Sequence, residues 1–222
     1  MGEMVEFSTN GKMSSGYLAL PSSGSGPGVI VIQEWWGLVD HIKNVADRFA
    51  AEGFCALAPD LYEGERATGP DEAGKLMMAL NIDSAEKDLR GAVRFLAVYA
   101  GENRVGVIGF CMGGQLALFA ACASREVAAC VNFYRIHPNV QPVLANLNAP
   151  VLGFFSERDE HVPPASAIQL KSDLQVVGKK ADVTVLEGTE HAFFNDTRPE
   201  VYHEKYAFEC WERTLTFFHE YL

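Results

Sequence analysis

From residue 28 onward, short apolar runs rich in β-branched residues alternate with longer stretches whose apolar positions recur at helical spacing. "GVIVIQ" (28–33), "FCALAPD" (54–60), "RVGVIGF" (104–110), "AACVNFY" (128–134), "PVLGFFS" (150–156) and "ADVTVLEG" (181–188) read as strands. Helical patterns lie at 41–53, with Ile42, Val45, Ala46 and Phe49 on one face and Gly53 as the stop, and at 84–100, opening with Ser84. Others lie at 113–124, near 165–177 and within 200–221. Strands that are apolar throughout and separated by amphipathic helices cannot leave either face of their sheet in water. The pattern therefore predicts an α/β fold, with a mostly parallel central sheet and helices on both faces. Two shorter strand candidates, "MVEFS" and "GYLALP", precede it and are joined by an Asn10-Gly11 turn signal. The loop "PSSGSGPG" (21–28) is too short to separate domains, and 222 residues with 48% apolar content fit one domain over 1–222.

A formal net charge of −11 argues against nucleic acid and against an acidic membrane surface as partners. No apolar run approaches the roughly 18 residues of a membrane span, and "MGEMVEFSTN" lacks the basic start and apolar core of a signal peptide. The five cysteines, at 55, 111, 122, 130 and 210, are widely spaced and form no C-x-x-C pair. Reduced thiols in a cytoplasmic protein are expected, with no metal site and no cofactor. A monomer acting on a small molecule is the expected state.

Ligands of open parallel sheets bind beyond the carboxyl ends of the strands. The informative loops therefore follow Gln33, Pro59, Phe110, Tyr134, Ser156 and Gly188. After Phe110 the chain reads Gly109-Phe110-Cys111-Met112-Gly113, a G-x-C-x-G between a strand and a helix. With serine at its centre this pattern is the nucleophile elbow. A nucleophile presented on so sharp a turn needs glycine on both flanks, because a Cβ there would strike the neighbouring strand and helix. The turn lifts the sulfur above the sheet edge, aims the Met112 N–H at a developing oxyanion, and places the thiol at a helix N-terminus that favours thiolate. The plainer reading is a small buried thiol at an ordinary strand–helix turn, and core packing is expected for Cys55, Cys122, Cys130 and Cys210.

A nucleophile needs a base, and the base needs an orienting group. Asp159 in "SERDEHVPP" and His191 in "EGTEHAFFN" each lie just past a strand, and the order Cys111, Asp159, His191 is that of the α/β-hydrolase fold. Glu157, Glu160 and His161 compete for the acid or base role. His41, His137, His203 and His219 are expected to be solvated. The loop "IQEWWGLVDHI" (32–42) follows the first buried strand, where such folds supply a second oxyanion donor; the Trp35 N–H is the candidate. Glu34 would point near the nucleophile, and Trp35 with Trp36 could be core or the wall of an apolar pocket.

Together "QEWWGL", "APDLYEG", "GFCMGG", "RDEHVPP" and "GTEHAFF" resemble the dienelactone hydrolase family, in its order and over nearly the whole chain. The resemblance implies an α/β-hydrolase fold and a triad of Cys111, His191 and Asp159 that cleaves a small ester or lactone. It also implies a resting neutral thiol held by Glu34 until ligand binds. Where the family places an arginine four residues after the triad histidine, this chain has Asn195, and "ATGPDEAGKL" (67–76) holds no arginine. Lys75, Arg66 or Arg198 would have to replace that carboxylate-binding charge, and lysine lacks the bidentate fork. Tyr62 and Tyr134 are further candidates for bonding substrate, alongside Trp36 and Asn195. The segment "FYRIHPN" (133–139) departs from the family's glycine-containing turn. Two other readings of the fold are a non-catalytic small-ligand-binding module and a thiol redox sensor built on Cys111.

Overall fold

A computed structural model describes residues 2–101 and 103–222. Eight strands form one sheet in the order β1-β2-β4-β3-β5-β6-β7-β8. The first two, β1 (Glu3–Thr9) and β2 (Lys12–Ala19), make a hairpin whose turn residues, Asn10 and Gly11, have φ of 41° and 115°. Two left-handed residues in a two-residue loop match the strand twist, which is why Asn-Gly was informative there. β2 runs antiparallel to β4 (Cys55–Pro59), and from β4 onward every pairing is parallel. The inner strands β3 (Gly28–Ile32), β4, β5 (Val105–Phe110) and β7 (Val151–Ser156) are buried at every residue, as their unbroken apolar runs require. β6 (Val127–Phe133) and the edge strand β8 (Ala181–Leu186) complete the sheet.

The helices divide between the faces. A Cβ on Gly106 of β5 would meet Phe218 of α6 (Glu204–Tyr221), whereas one on Gly109 would meet the backbone at Gly113 in α4 (Met112–Ala123). Positions three apart on a strand point oppositely, so α6 and α4 lie on opposite faces. α1 (Asp40–Ala51) joins α6 through Phe49, whose ring centroid lies 4.5 Å from Trp211 and 5.8 Å from Phe218. α3 (Ile82–Tyr99) packs beside α4, and α5 (Ala165–Val176) covers β8.

Several local expectations are corrected. α3 begins at Ile82, not Ser84: Asn81 is its cap, and its side chain accepts the Ser84 N–H at 2.9 Å. The helix α2 (Pro70–Ala79) buries only Ala73 fully, so its apolar periodicity is weak, and no helix there follows from spacing. His41 and His137 are not solvated, being 3% and 5% exposed. His41 binds Asp196 at 3.2 Å, while His137 accepts the Asn139 N–H at 3.1 Å. No helix among the described residues is long and apolar enough to cross a membrane.

Candidate active site

The turn after β5 sets the site. Cys111 has φ 54° and ψ −118°, a conformation costly for any residue with a Cβ, and it stands at the N-cap of α4. Backbone bonds hold it there: its N–H donates to Phe133 O at 3.1 Å, and its carbonyl accepts from Gly114 N–H and Ile136 N–H, each at 3.0 Å. The flanking glycines are obligatory. A Cβ on Gly109 would lie 2.0 Å from Gly113 O, and one on Gly113 would lie 2.3 Å from Ile32 O. Met112 opens α4, so its N–H is among the first four with no acceptor within the helix.

Two strand-end loops bring the other groups. Asp159, after β7, is 7% exposed. Its Oδ1 accepts the N–H groups of His161 (2.9 Å) and Val162 (2.8 Å), which leaves Oδ2 for His191 Nδ1 at 2.7 Å. The Cys111 thiol and the same imidazole line one cavity, and the thiol acts on the ring electrostatically. Burial alone would lower its pKa. The bond to Asp159 and the interactions with Cys111 outweigh burial and push it up to about 10. Glu157, a competitor for the acid role, instead accepts the Gly188 N–H at 2.8 Å. Glu160 and His161 sit on the cavity wall, where the His161 ring lies 5.1 Å from that of His191.

Glu34 follows β3 and is 1% exposed. It begins a tight turn closed by Gly37 N–H on its carbonyl at 3.3 Å, and the Trp35 N–H sits within that turn. The carboxylate Oε2 accepts from Asn195 Nδ2 at 3.0 Å. Asn195 was expected to touch substrate. It is instead 2% exposed and behind Glu34, with its Oδ1 occupied by Thr197 N–H (3.0 Å) and Oγ1–H (2.7 Å).

Cys111, His191 and Glu34 open into one cavity of about 280 Å³, the size of a small-molecule site. Trp35 and Trp36 line it, their rings 5.2 Å apart and nearly perpendicular, so they form its wall. Three other expected contacts lie elsewhere. Tyr62 is buried under the elbow and donates to Met112 Sδ at 3.2 Å. Lys75 is exposed on α2, where Met77 and not Lys75 faces the cavity. Tyr134 is fully buried behind His191, ring centroids 4.9 Å apart, with φ 35° and no hydrogen-bond partner for its hydroxyl. Burial, then the nearby Glu34, Cys111 and Asp159, keep that phenol neutral far above its usual range. Sequence reasoning did not reach Met77, Ile136, Arg158, Glu190, Ala192 and Val201 as lining residues. They come from loops and from a helix without periodicity, where no local pattern marks a wall. Arg198 lines the cavity with its Nε on Glu200 at 2.9 Å. Among the described residues no cluster of three or more His, Cys, Asp or Glu side chains is arranged to hold a metal ion.

A mostly parallel sheet, a sharp cysteine turn into a helix, and histidine and acid loops after later strands define an α/β-hydrolase. Residues 14–222 match the dienelactone hydrolase family, and the chain belongs to that family of hydrolases. A relative from Aquifex pyrophilus, "Protein usf", is 41% identical over the whole of both chains. One from Aquifex aeolicus, named "Putative carboxymethylenebutenolidase", is 39% identical, again over the whole of both. A solved structure from Klebsiella pneumoniae, described as a "Putative Dienelactone Hydrolase", superposes with a TM-score of 0.88 at 29% identity and full coverage of both chains.

Proposed function

We propose that this hydrolase cleaves a small carboxylic ester or lactone through a Cys111 thioester. The observation that carries the reading is a single imidazole, His191, paired at 2.7 Å with a buried carboxylate, Asp159, and lining the same cavity as the thiol at the elbow. That geometry suits a thiolate–imidazolium pair. The thiolate attacks the carbonyl carbon, and the N–H groups of Met112 and Trp35 receive the oxyanion. As the intermediate collapses, the bond to the leaving oxygen breaks and His191 gives that oxygen its proton. Water then attacks the thioester, His191 takes the water's proton, and the acid departs as the thiolate is restored. Asp159 acts through His191, fixing its tautomer. Trp35 and Trp36 offer an apolar face to the acyl or alcohol part. All five cysteines are free, as suits work in the cytoplasm.

The test is hydrolysis of small aryl esters and lactones by wild type, Cys111→Ala and Cys111→Ser, with mass spectrometry of the quenched enzyme. Loss of turnover in the alanine form and an acyl adduct on the wild-type peptide containing Cys111 are expected. Undiminished turnover in the alanine form overturns the reading.

A further inference from the structure

The Asn195–Glu34 contact has a chemical consequence for the thiol. The amide cannot turn over, because its oxygen already accepts two bonds from Thr197, so the NH2 group must face Glu34. Its backbone is tied too: Asn195 N–H donates to Ala192 O at 2.9 Å, and Arg198 N–H to Asn195 O at 3.1 Å. The next residue, Asp196, anchors the segment to α1 through His41 at 3.2 Å. Glu34 is thus held through Oε2 by a buried, oriented, neutral donor. Swinging that carboxylate onto a neighbouring S–H would break the bond and leave the buried Asn195 NH2 without its acceptor.

We infer that Asn195 is a positioning residue that locks Glu34, so that the Cys111–His191 pair stands assembled before substrate arrives and needs no anionic ligand to release it. The inference rests on the proposed thioester reading. It implies that neutral esters are substrates in their own right. The wall near Glu34 presents no arginine from position 195, and the aromatic pair Trp35–Trp36 lies beside it. Tyr62 and Tyr134, the buried phenols near the thiol, stay protonated well above neutral pH because burial disfavours their anions. Arg158, Glu160, Glu190 and Arg198 are the charged residues at the rim. His161 is the remaining imidazole there, and a His161→Gln background removes it from the experiment.

The measurement is the rate of iodoacetamide alkylation of Cys111 in ligand-free enzyme from pH 6.5 to 8.5. A preassembled pair gives a nearly flat profile, whereas an ordinary thiol loses about tenfold per pH unit below about 8.5. Wild type is expected to be flat. Asn195→Ala, which frees Glu34 to accept the S–H, is expected to be steep, and Asn195→Ala with Glu34→Gln to be flat again. That rescue separates positioning from simple loss of structure. In parallel, wild type is assayed on a neutral aryl ester and on the same ester carrying a carboxylate. Values of kcat/KM within about tenfold of each other are expected.

A steep wild-type profile, a flat Asn195→Ala profile, no rescue in the double variant, or a carboxylate preference beyond about a hundredfold overturns the lock. The wild-type arms need no variant to fold. If Cys111→Ala abolishes hydrolysis while any of these outcomes is seen, the lock fails and the thioester reading stands.

Discussion

Gly113→Ala offers a quantitative check on how the elbow is seated. A Cβ at this position would stand 2.3 Å from Ile32 O and 2.4 Å from Gln33 O, where contacts below 3.0 Å require something to move. Both obstacles are backbone at the end of β3, so no side chain can rotate away. The elbow and the β3 end must separate by about 0.7 Å, judged against that 3.0 Å limit. The β3 end leads directly into Glu34 and Trp35, so the movement parts the two proposed oxyanion donors. Overpacking of this kind costs about 1–3 kcal/mol of stability. For a chain of this length each kcal/mol lowers Tm by roughly 2–4 °C, so a fall of about 5 °C is expected. A displacement approaching 1 Å at a reacting centre can cost about a hundredfold in rate, or about 2.7 kcal/mol of transition-state stabilisation. Thermal denaturation and kcat/KM on an aryl ester measure the two effects. Gly69→Ala is the control: Gly69 has φ −155°, and a Cβ there would meet nothing within 4 Å. Because Gly69 caps α2, its stability should fall by no more than about 1 kcal/mol. Wild-type Tm and turnover in Gly113→Ala would show that the elbow is not seated as described.

Asp159→Asn keeps the side-chain oxygen for the His161 and Val162 N–H groups but turns an NH2 group toward His191 Nδ1. The imidazole is forced into the wrong tautomer, and kcat should fall by roughly 10³–10⁴ with little change in fold; a loss under about tenfold would remove Asp159 from its role. The His191 pKa, raised to about 10 from an ordinary 6.5, also makes stability depend on pH. The stabilisation is complete below about pH 6.5 and is lost as pH rises toward 10, because the folded state holds a proton that the unfolded state releases. Wild-type Tm measured against that of His191→Gln should therefore decline from pH 7 to 10, and a constant difference would count against the charged pair.

The sheet was legible because its inner strands are buried on both faces and show it in composition alone; β3 and β7 needed no context. The elbow was legible because close backbone approach admits only glycine at positions 109 and 113. Asp159 and His191 followed from their places after strands. The contacts that sequence reasoning misplaced depend on non-local geometry. Glu34 and Asn195 meet across 161 positions, and nothing local in "HAFFN" says that its asparagine turns inward. Lys75 and Met77 lie on one helix whose orientation is set by what packs under it, so the charged residue was favoured and the apolar one lines the cavity. His41 and His137 looked like surface imidazoles because burial of a polar ring depends on partners such as Asp196 that lie far away in the chain.

The loop after β8 carries both the imidazole and the amide that grips Glu34, on a segment closed by successive turn bonds from Glu190 to Tyr202. A residue inserted there would change the spacing between two groups that must face different partners, whereas loop 21–28 carries no such pair. Redesign of this hydrolase toward bulkier molecules therefore belongs on lining residues outside that loop, at Met77 of α2 and at Ile136, where side chains can be exchanged while the loop keeps its length.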